Sequence, residues 1–575
     1  MKLLPGKIHP PCNKTPYYKV DIVPYITKIS TRLDDAYSAM PSVFNRSANG
    51  NYPVMRGETG FKLYGFNLDG ANTTVKVNNT SVGTVTAKPT SDTSYGDYVS
   101  FMVPSTANSG NIDVTVSSIS SLNNSNNVTA EYNLEPNGIN NDILDDNRSV
   151  YVWGMNDVLT KTVKTIRYPT FRIGKGTGQP YVFIYDNDGR TVRYNKDGTD
   201  ALLDTSYSQW YGTGCAVDSN GYVYASAQNG DSLTRDYANY KFYAFANYVQ
   251  GNSQYTGTSG AYTGDRNSIL LEWDYDNGAF YAERVKNPKI AVLGSNETKM
   301  YTTYFDSAYN RLVFRYGTAS YTSNTAINWN GGITNRGTSN SAANPRVIDN
   351  SANVGEYAAV GVIPNGLTGQ TGGTAVVCWN SDNKLKFKYN TDPTRNTWSS
   401  EIIIDADYAG EYCDLAVDAA GGIHIAYYRA GNKLKYAYLE SYLDTTADVC
   451  MVDSYLSVGE NISIETSSKT ISYTENGTTK TRYVPYISYY SSAIGMAKVA
   501  WPVKLGTNGD TANTFVNGVN NDKFTGDWEV QVLPTALTTK LLNYTIGVGE
   551  KTNGTANSVM LGYGTKTGLQ TALLY

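Results

Sequence analysis

A chain of 575 residues with 53 Gly and 49 Tyr but only 17% charged residues is too long for one core and has the composition of pleated sheets joined by tight turns. Its formal charge of −4 and the absence of a basic run exclude an electrostatic footprint for nucleic acid or for an anionic membrane surface. No apolar stretch reaches the roughly 18 residues that a membrane span needs, and no long segment shows helical apolar periodicity, so the expected class is all-β.

In chain order, residues 1–20, rich in Pro and Lys, read as an extended arm. The start MKLLPGKIHPPC lacks the apolar core of a signal peptide, and Cys12 has no small-residue lipobox before it. Low lysine with dense Asn, Thr, Tyr and Gly reads as a bacterial secreted or cell-surface protein, expected in the extracellular space or on the cell surface.

From Asp21 the pattern changes. VPYITKIS alternates apolar and polar residues, and YPVMRGETGFKLYGFNL, TTVKVNN, SVGTVTAK, DYVSFMVP and GNIDVTVSS follow with turn residues between them. Short strands at about 8 to 12 residue spacing predict an immunoglobulin-like sandwich over residues 21–132. The order Pro24, Ile26, then Gly57, Thr59, Gly65, Asn67 and Leu68, then Val75 and Val77, then Pro104, Gly110, Val114 and Val116 resembles the IPT/TIG family of Ig-like domains. That resemblance implies a spacer or binding module without chemistry, with Gly65 at a tight bend. Residues 133–149, turn formers and acids with little to bury, form the linker.

Residues 150–575 carry a repeat. An offset of 49 residues aligns Trp379 with Tyr428 and carries Asn383, Lys384, Leu385, Lys386 and Tyr389 onto Asn432, Lys433, Leu434, Lys435 and Tyr438. A repeat of about 40 to 50 residues built from short alternating strands is the signature of a β-propeller blade. At about 55 to 60 residues per unit the region holds seven blades, with six or eight also admissible. Hairpins are expected at 181–195, 215–227, 269–285, 301–317 and 483–501, and fourth strands at 397–405 and 527–533. SVYVWGM (149–155) is placed to complete the last blade and remove its open edge. Asp218, Asp306 and Asp418 read as matching turn residues that cap their own backbone N–H groups.

Motifs for catalysis are scarce. There are two His residues, His9 in the arm and His424 on an apolar strand, and no GxSxG, HExxH or P-loop. The five cysteines, Cys12, Cys215, Cys378, Cys413 and Cys450, are scattered and read as small hydrophobes. The Asp box of sialidase-like propellers, Ser-x-Asp-x-Gly-x-Thr-Trp, is approached only by NTDPTRNTW at 390–398, where Asp392 lies six residues before Trp398 and not five. DNDG, with Asp186 and Asp188, invites a calcium reading beside that of an ordinary Asp-Gly hairpin turn. Trp210 and Tyr211 in YSQWYGTG and Trp329 in AINWNGG lie among small polar residues, where rings can stack on sugars or anchor a protein.

The expected function is therefore non-catalytic binding or adhesion, with a glycan or a surface protein as ligand, met by propeller loops through Trp210, Tyr211 and Trp329. Two alternatives stand beside it. One is a structural, self-associating component of a surface layer or appendage. The other is a propeller glycoside hydrolase or polysaccharide lyase.

Overall fold

The computed structural model describes, with breaks inside several of these ranges, residues 25–30, 52–120, 149–230, 241–247, 266–273, 285–320, 328–329, 346–502, 528–533 and 541–575. Every regular element among the described residues is a strand, as the composition requires. The chain divides into two compact units. The first holds Met1–Met155 with Glu529–Pro534 and Leu574–Tyr575, and the second holds Asn156–Trp528 with Thr535–Leu573. The arm and the expected linker lie outside the described residues up to Ser149.

In the first unit, Tyr25–Ser30, Phe61–Phe66 and Asp97–Phe101 make one antiparallel sheet, and Gly110–Val116, Thr74–Val77 and Thr80–Thr84 belong to another. Their alternate residues, among them Ile29, Leu63, Val75, Val77, Val99, Ile112 and Val114, are buried in one core. Gly65, expected at a tight bend, is the penultimate residue of its strand, paired with Ile26 and Asp97 beside a register shift, while Gly57 and Gly60 take left-handed backbone (φ 75° and 85°). Tyr575 is stitched into this unit, its N–H donating to the Val152 carbonyl and its ring lying under the Arg56 guanidinium at 3.2 Å.

The second unit is a succession of antiparallel sheets. Sheet one is Ile166–Ile173, Tyr181–Asn187, Thr191–Lys196 and Thr199–Asp204. Sheet two is Gln209–Val217, Val223–Gly230, Lys241–Asn247 and Arg266–Trp273. Sheet three is Val285–Leu293, Glu297–Asp306 and Arg311–Ser320, with Asn328–Trp329 and Arg346–Asp349 along its outer edge. Sheet four is Val354–Val362, Ala375–Ser381, Lys384–Asn390 and Ile402–Asp405, and sheet five is Ala409–Val417, Ile423–Arg429, Lys433–Leu439 and Asp448–Asp453. Sheet six starts Glu460–Glu475, Thr478–Ser491, Met496–Pro502, and sheet seven is Leu541–Asn553, Ala556–Thr565 and Gly568–Leu574.

Strand Ser149–Thr160, longer than the SVYVWGM expected, neighbours the last of these; Asp157 accepts from Gln570 Nε2 at 2.6 Å. Of the expected hairpin 269–285, residues 269–273 lie on the fourth strand of sheet two and Val285 opens sheet three, while the turn and the rest of its second half lie outside the described residues.

The first strand of each sheet lies against the first strand of the next, and that of sheet seven lies against that of sheet one. Glycine allows the closest approaches. A Cβ at Gly361 would stand 2.5 Å from Leu415, and one at Gly547 would stand 2.6 Å from Phe171. The strands run the same way, since Tyr357 lies beside Tyr412 and, four residues on, Gly361 lies against Leu415 and Val417.

Away from this ring, a second device ties neighbours together. An aspartate at the end of one sheet's outermost strand reaches a cross-strand pair, one aromatic and one lysine, on the second and third strands of the next. Asp349 accepts from Trp379 Nε1 at 2.8 Å with Lys386 at 3.9 Å. Asp405 accepts from the Tyr427 hydroxyl at 2.9 Å and Lys435 at 2.7 Å. Asp453 accepts from Tyr489 at 2.8 Å and Lys498 at 2.9 Å. The lysines of the sequence repeat are these lysines. The aromatic partner of Trp379 in the repeat is therefore Tyr427 and not Tyr428, because the second hairpin turn is one residue longer.

Asp453→Ala removes the carboxylate that stands 2.9 Å from Lys498, whose side chain is 1% exposed, and removal of one member of such a buried pair costs about 3–5 kcal/mol. Asp405→Ala frees the less buried Lys435 and is expected to cost less. Thermal unfolding of the two variants checks the order.

Candidate functional site

Each first strand in the second unit breaks its ladder with the second strand near its start. The register shifts fall between Arg167 and Thr170, Trp210 and Thr213, Lys286 and Lys289, Val354 and Ala358, Glu411 and Asp414, Glu460 and Ser463, and Leu541 and Ile546. A bulge leaves a residue without a ladder partner, which is why Pro169 and Pro288 are accommodated in these steps. Asn287, Tyr412 and Asn461 hold the same step in sheets three, five and six with φ of 48°, 51° and 50°. Asn tolerates the left-handed region; for a bulky aromatic it costs about 1–2 kcal/mol. Tyr408, four residues before Tyr412, is also left-handed (φ 48°) and is 64% exposed.

The residues at and just before these steps form a collar around the start of the ring. Lys286 Nζ meets Glu356 Oε1 at 2.7 Å, and Asn287 Nδ2 donates to the Glu356 carbonyl at 3.2 Å. The Tyr357 and Tyr412 rings are tilted in contact at 4.6 Å, and Tyr412 meets Tyr428 edge-on at 6.2 Å. Glu411 is exposed, and among the described residues no hydrogen bond or ion pair engages its carboxylate. Burial first, then the neighbouring Tyr412, Glu356 and Glu411, raise the Tyr357 phenol above its ordinary range, which makes it a poorer nucleophile.

Two residues further along, the strands meet in ion pairs that cross the axis. Asp414 of sheet five accepts from Arg172 of sheet one at 3.0 Å and from the Ile464 N–H of sheet six at 3.1 Å, and Lys289 of sheet three lies 3.7 Å from it. Arg172 also donates to Ser463 Oγ at 2.8 Å. Beyond these, Lys175 lies 3.3 Å from Glu465 and donates to the Val417 carbonyl at 2.6 Å. Burial works to raise the Asp414 carboxyl, but Lys289, Arg172 and the backbone N–H groups outweigh it and hold it below the usual range.

At the other end of the first strand of sheet five, Asp418 Oδ1 accepts the N–H groups of Ala420 and Gly422, both at 2.8 Å, the self-capped turn expected there. Its Oδ2 meets His424 Nε2 at 3.0 Å, and His424 Nδ1 meets the Tyr436 hydroxyl at 2.6 Å. All three side chains are buried. His424 thus has two positioned partners, and its counterpart six residues after Asp218 is Tyr224, which donates to Asp218 at 3.1 Å. Asp306 is not their equivalent. It ends a second strand and pairs with Arg311 at 2.9 Å.

The sequence-derived ligand residues fall in different places. Trp210 and Tyr211 stand on the first strand of sheet two, at the register of Lys286–Asn287 and Glu411–Tyr412, and so belong to the collar. Trp329 pairs with Gly317, level with Met300 and Val292, at the opposite end of sheet three from Lys286. Asp186 is paired with Arg167 and Val192 in sheet one, and Asp188 lies outside the described residues. Sequence reasoning missed Glu356, Tyr357, Glu411 and Tyr412, although the repeated Gly-Glu-Tyr at 355–357 and 410–412 was the signal.

No family model matches the chain, and no curated protein does. Among solved structures it is similar to the intramolecular trans-sialidase of Ruminococcus gnavus, at 12% identity over 70% of this chain and 91% of that one, with a TM-score of 0.35. It is also similar to the NanB sialidase of Streptococcus pneumoniae (11%, 90% and 84%, 0.39) and to the Aleuria aurantia lectin (10%, 65% and 98%, 0.33).

The pH dependence of folding follows from His424 and the two aspartates. Burial first, with Lys175 and Arg482 adding to it, lowers the His424 pKa despite Asp418, so its contribution is complete above about pH 6.5 and is lost as pH falls below that value. Asp414 and Asp418, both held low, contribute above the ordinary carboxylate range and fail only in stronger acid. Replacing His424 with Gln is expected to flatten the fall in thermal midpoint between pH 7 and pH 5 while leaving the fall below pH 4, read by calorimetry across that range.

Proposed function

We propose that the second unit is a seven-bladed β-propeller, each sheet a blade, that the protein binds a glycan at the collar without turning it over, and that the first unit is an Ig-like sandwich of the TIG type that acts as a spacer. The observation that carries this reading is the collar itself. In sheets three to five the starts of the first strands carry Lys286, Asn287, Glu356, Tyr357, Glu411 and Tyr412 at steps where the ladder leaves a residue without its partner, and Trp210 and Tyr211 stand at the same register of sheet two, which supports one mouth lined by aromatic, amide and charged residues. Rings present stacking faces to sugar C–H groups, and amides and carboxylates accept and donate to hydroxyls.

The two collar carboxylates differ in setting, Glu356 paired with Lys286 and Glu411 exposed, and this reading takes both as acceptors for sugar hydroxyls. Extracellular display and a role in adhesion fit this reading.

The purified chain on a glycan array, with a parallel assay for reducing-sugar release, tests it. Retention of glycans with no sugar released is the expected result. Sugar release abolished by Glu356→Gln or Glu411→Gln would replace binding with catalysis.

A further inference from the structure

We infer that the sector of the collar made by sheets four and five is a subsite for a neutral pyranose, with Tyr412 as its stacking face and Glu411 as its hydroxyl acceptor, and that it discriminates against anionic sugars. This rests on the reading of the collar as a glycan site and goes further by naming the sugar class.

Three observations meet here. The first is an internal control. At one bulge step three strands adopt a left-handed backbone, and two of them use Asn, which suits it; sheet five uses Tyr. Local strain of this kind persists where the side chain has a use that the more comfortable residue cannot serve. The second is the setting of that ring. Tyr412 is half-buried between Tyr357 and Tyr428, so its orientation is fixed before any ligand arrives, and Tyr408 stands 64% exposed four residues earlier. A prefixed aromatic platform loses little freedom when a sugar face settles on it. The third is charge. Glu411 is exposed and, among the described residues, unpaired; Glu356 has taken the nearby cation Lys286 for itself. The cations of the axis, Arg172 and Lys289, are likewise occupied by Asp414. A carboxylate or sulfate on the sugar would meet Glu411 directly, with Lys286, Arg172 and Lys289 already paired and Lys384 and Lys433 two strands out from the first strands, whereas a hydroxyl would find an acceptor.

Titration calorimetry and saturation-transfer NMR with lactose, cellotriose, maltotriose and 3′-sialyllactose, on the full chain, test the assignment. At least one neutral probe is expected to bind the wild-type chain, with 3′-sialyllactose about 10-fold weaker than lactose or undetected. Tyr412→Asn, which installs the residue found at this step in sheets three and six, is expected to weaken the neutral probe about 10-fold while the thermal midpoint holds or rises. Tyr412→Phe keeps the ring and is expected to keep the affinity. Glu411→Lys, at an exposed position that leaves the fold alone, is expected to reverse the order of lactose and 3′-sialyllactose.

A Tyr412→Asn chain that loses stability but binds as before would show the ring to be packing, and would overturn the inference alone. So would an order of probes that Glu411→Lys leaves unchanged, or 3′-sialyllactose binding the wild type more tightly than lactose. Failure of all four probes to bind the wild-type chain would overturn the glycan reading beneath it as well.

Discussion

A ring of sheets whose first strands crowd one axis needs fastening further out, and in sheets three, four and five an aspartate at the end of the outermost strand supplies it. Asp349, Asp405 and Asp453 each satisfy an aromatic N–H or O–H and face a lysine of the next sheet. A buried lysine without a carboxylate, or the reverse, is costly, so the contact is strongly conditional on the two sheets lying in one relation. Displacing one sheet would unpair both members at once. The same demand positions the first strands, since the aromatic and lysine are cross-strand neighbours one and two strands out from them.

Along the axis the charges are sorted. Cations come from sheets one and three (Arg172, Lys175, Lys289) and anions from sheets five and six (Asp414, Glu465), so the pairs cross the centre and hold opposite sides together. Ser463 Oγ, accepting from Arg172, and the Ile464 N–H, donating to Asp414, add to the shell around this pair.

Much of this was readable from residues and some was not. Strand class, the blade repeat and the turn at Asp418 follow from period-2 patterning, from Lys386 and Lys435 recurring with their neighbours, and from the Asp side chain's reach to its own turn. Local sequence is ambiguous at 269–285, where two apolar runs flanking an Asp-Asn-Gly turn look alike whether they pair with each other or belong to successive sheets, and most of the second run lies outside the described residues. Asp306 was grouped with Asp218 and Asp418 for the same reason: its local sequence resembles theirs, while its place in the sheet order differs. The cross-axis pairs have no local signal at all. Arg172 and Asp414 are 242 residues apart, and only ring closure brings them together. The collar was half legible. Trp210 and Tyr211 drew attention as rings among small polar residues, but Glu411 and Tyr412 were hidden by a repeat that reads first as structure.

The bulged step has one more consequence. A side chain there does not enter the ladder, so its identity is decoupled from the register of the sheet beneath; proline, asparagine, tyrosine and glycine all occupy it in this chain. The molecule therefore separates a rigid chassis from an exchangeable crown. Different side chains stand at that step in different sheets, while glycines, aspartates and lysines hold the chassis beneath them.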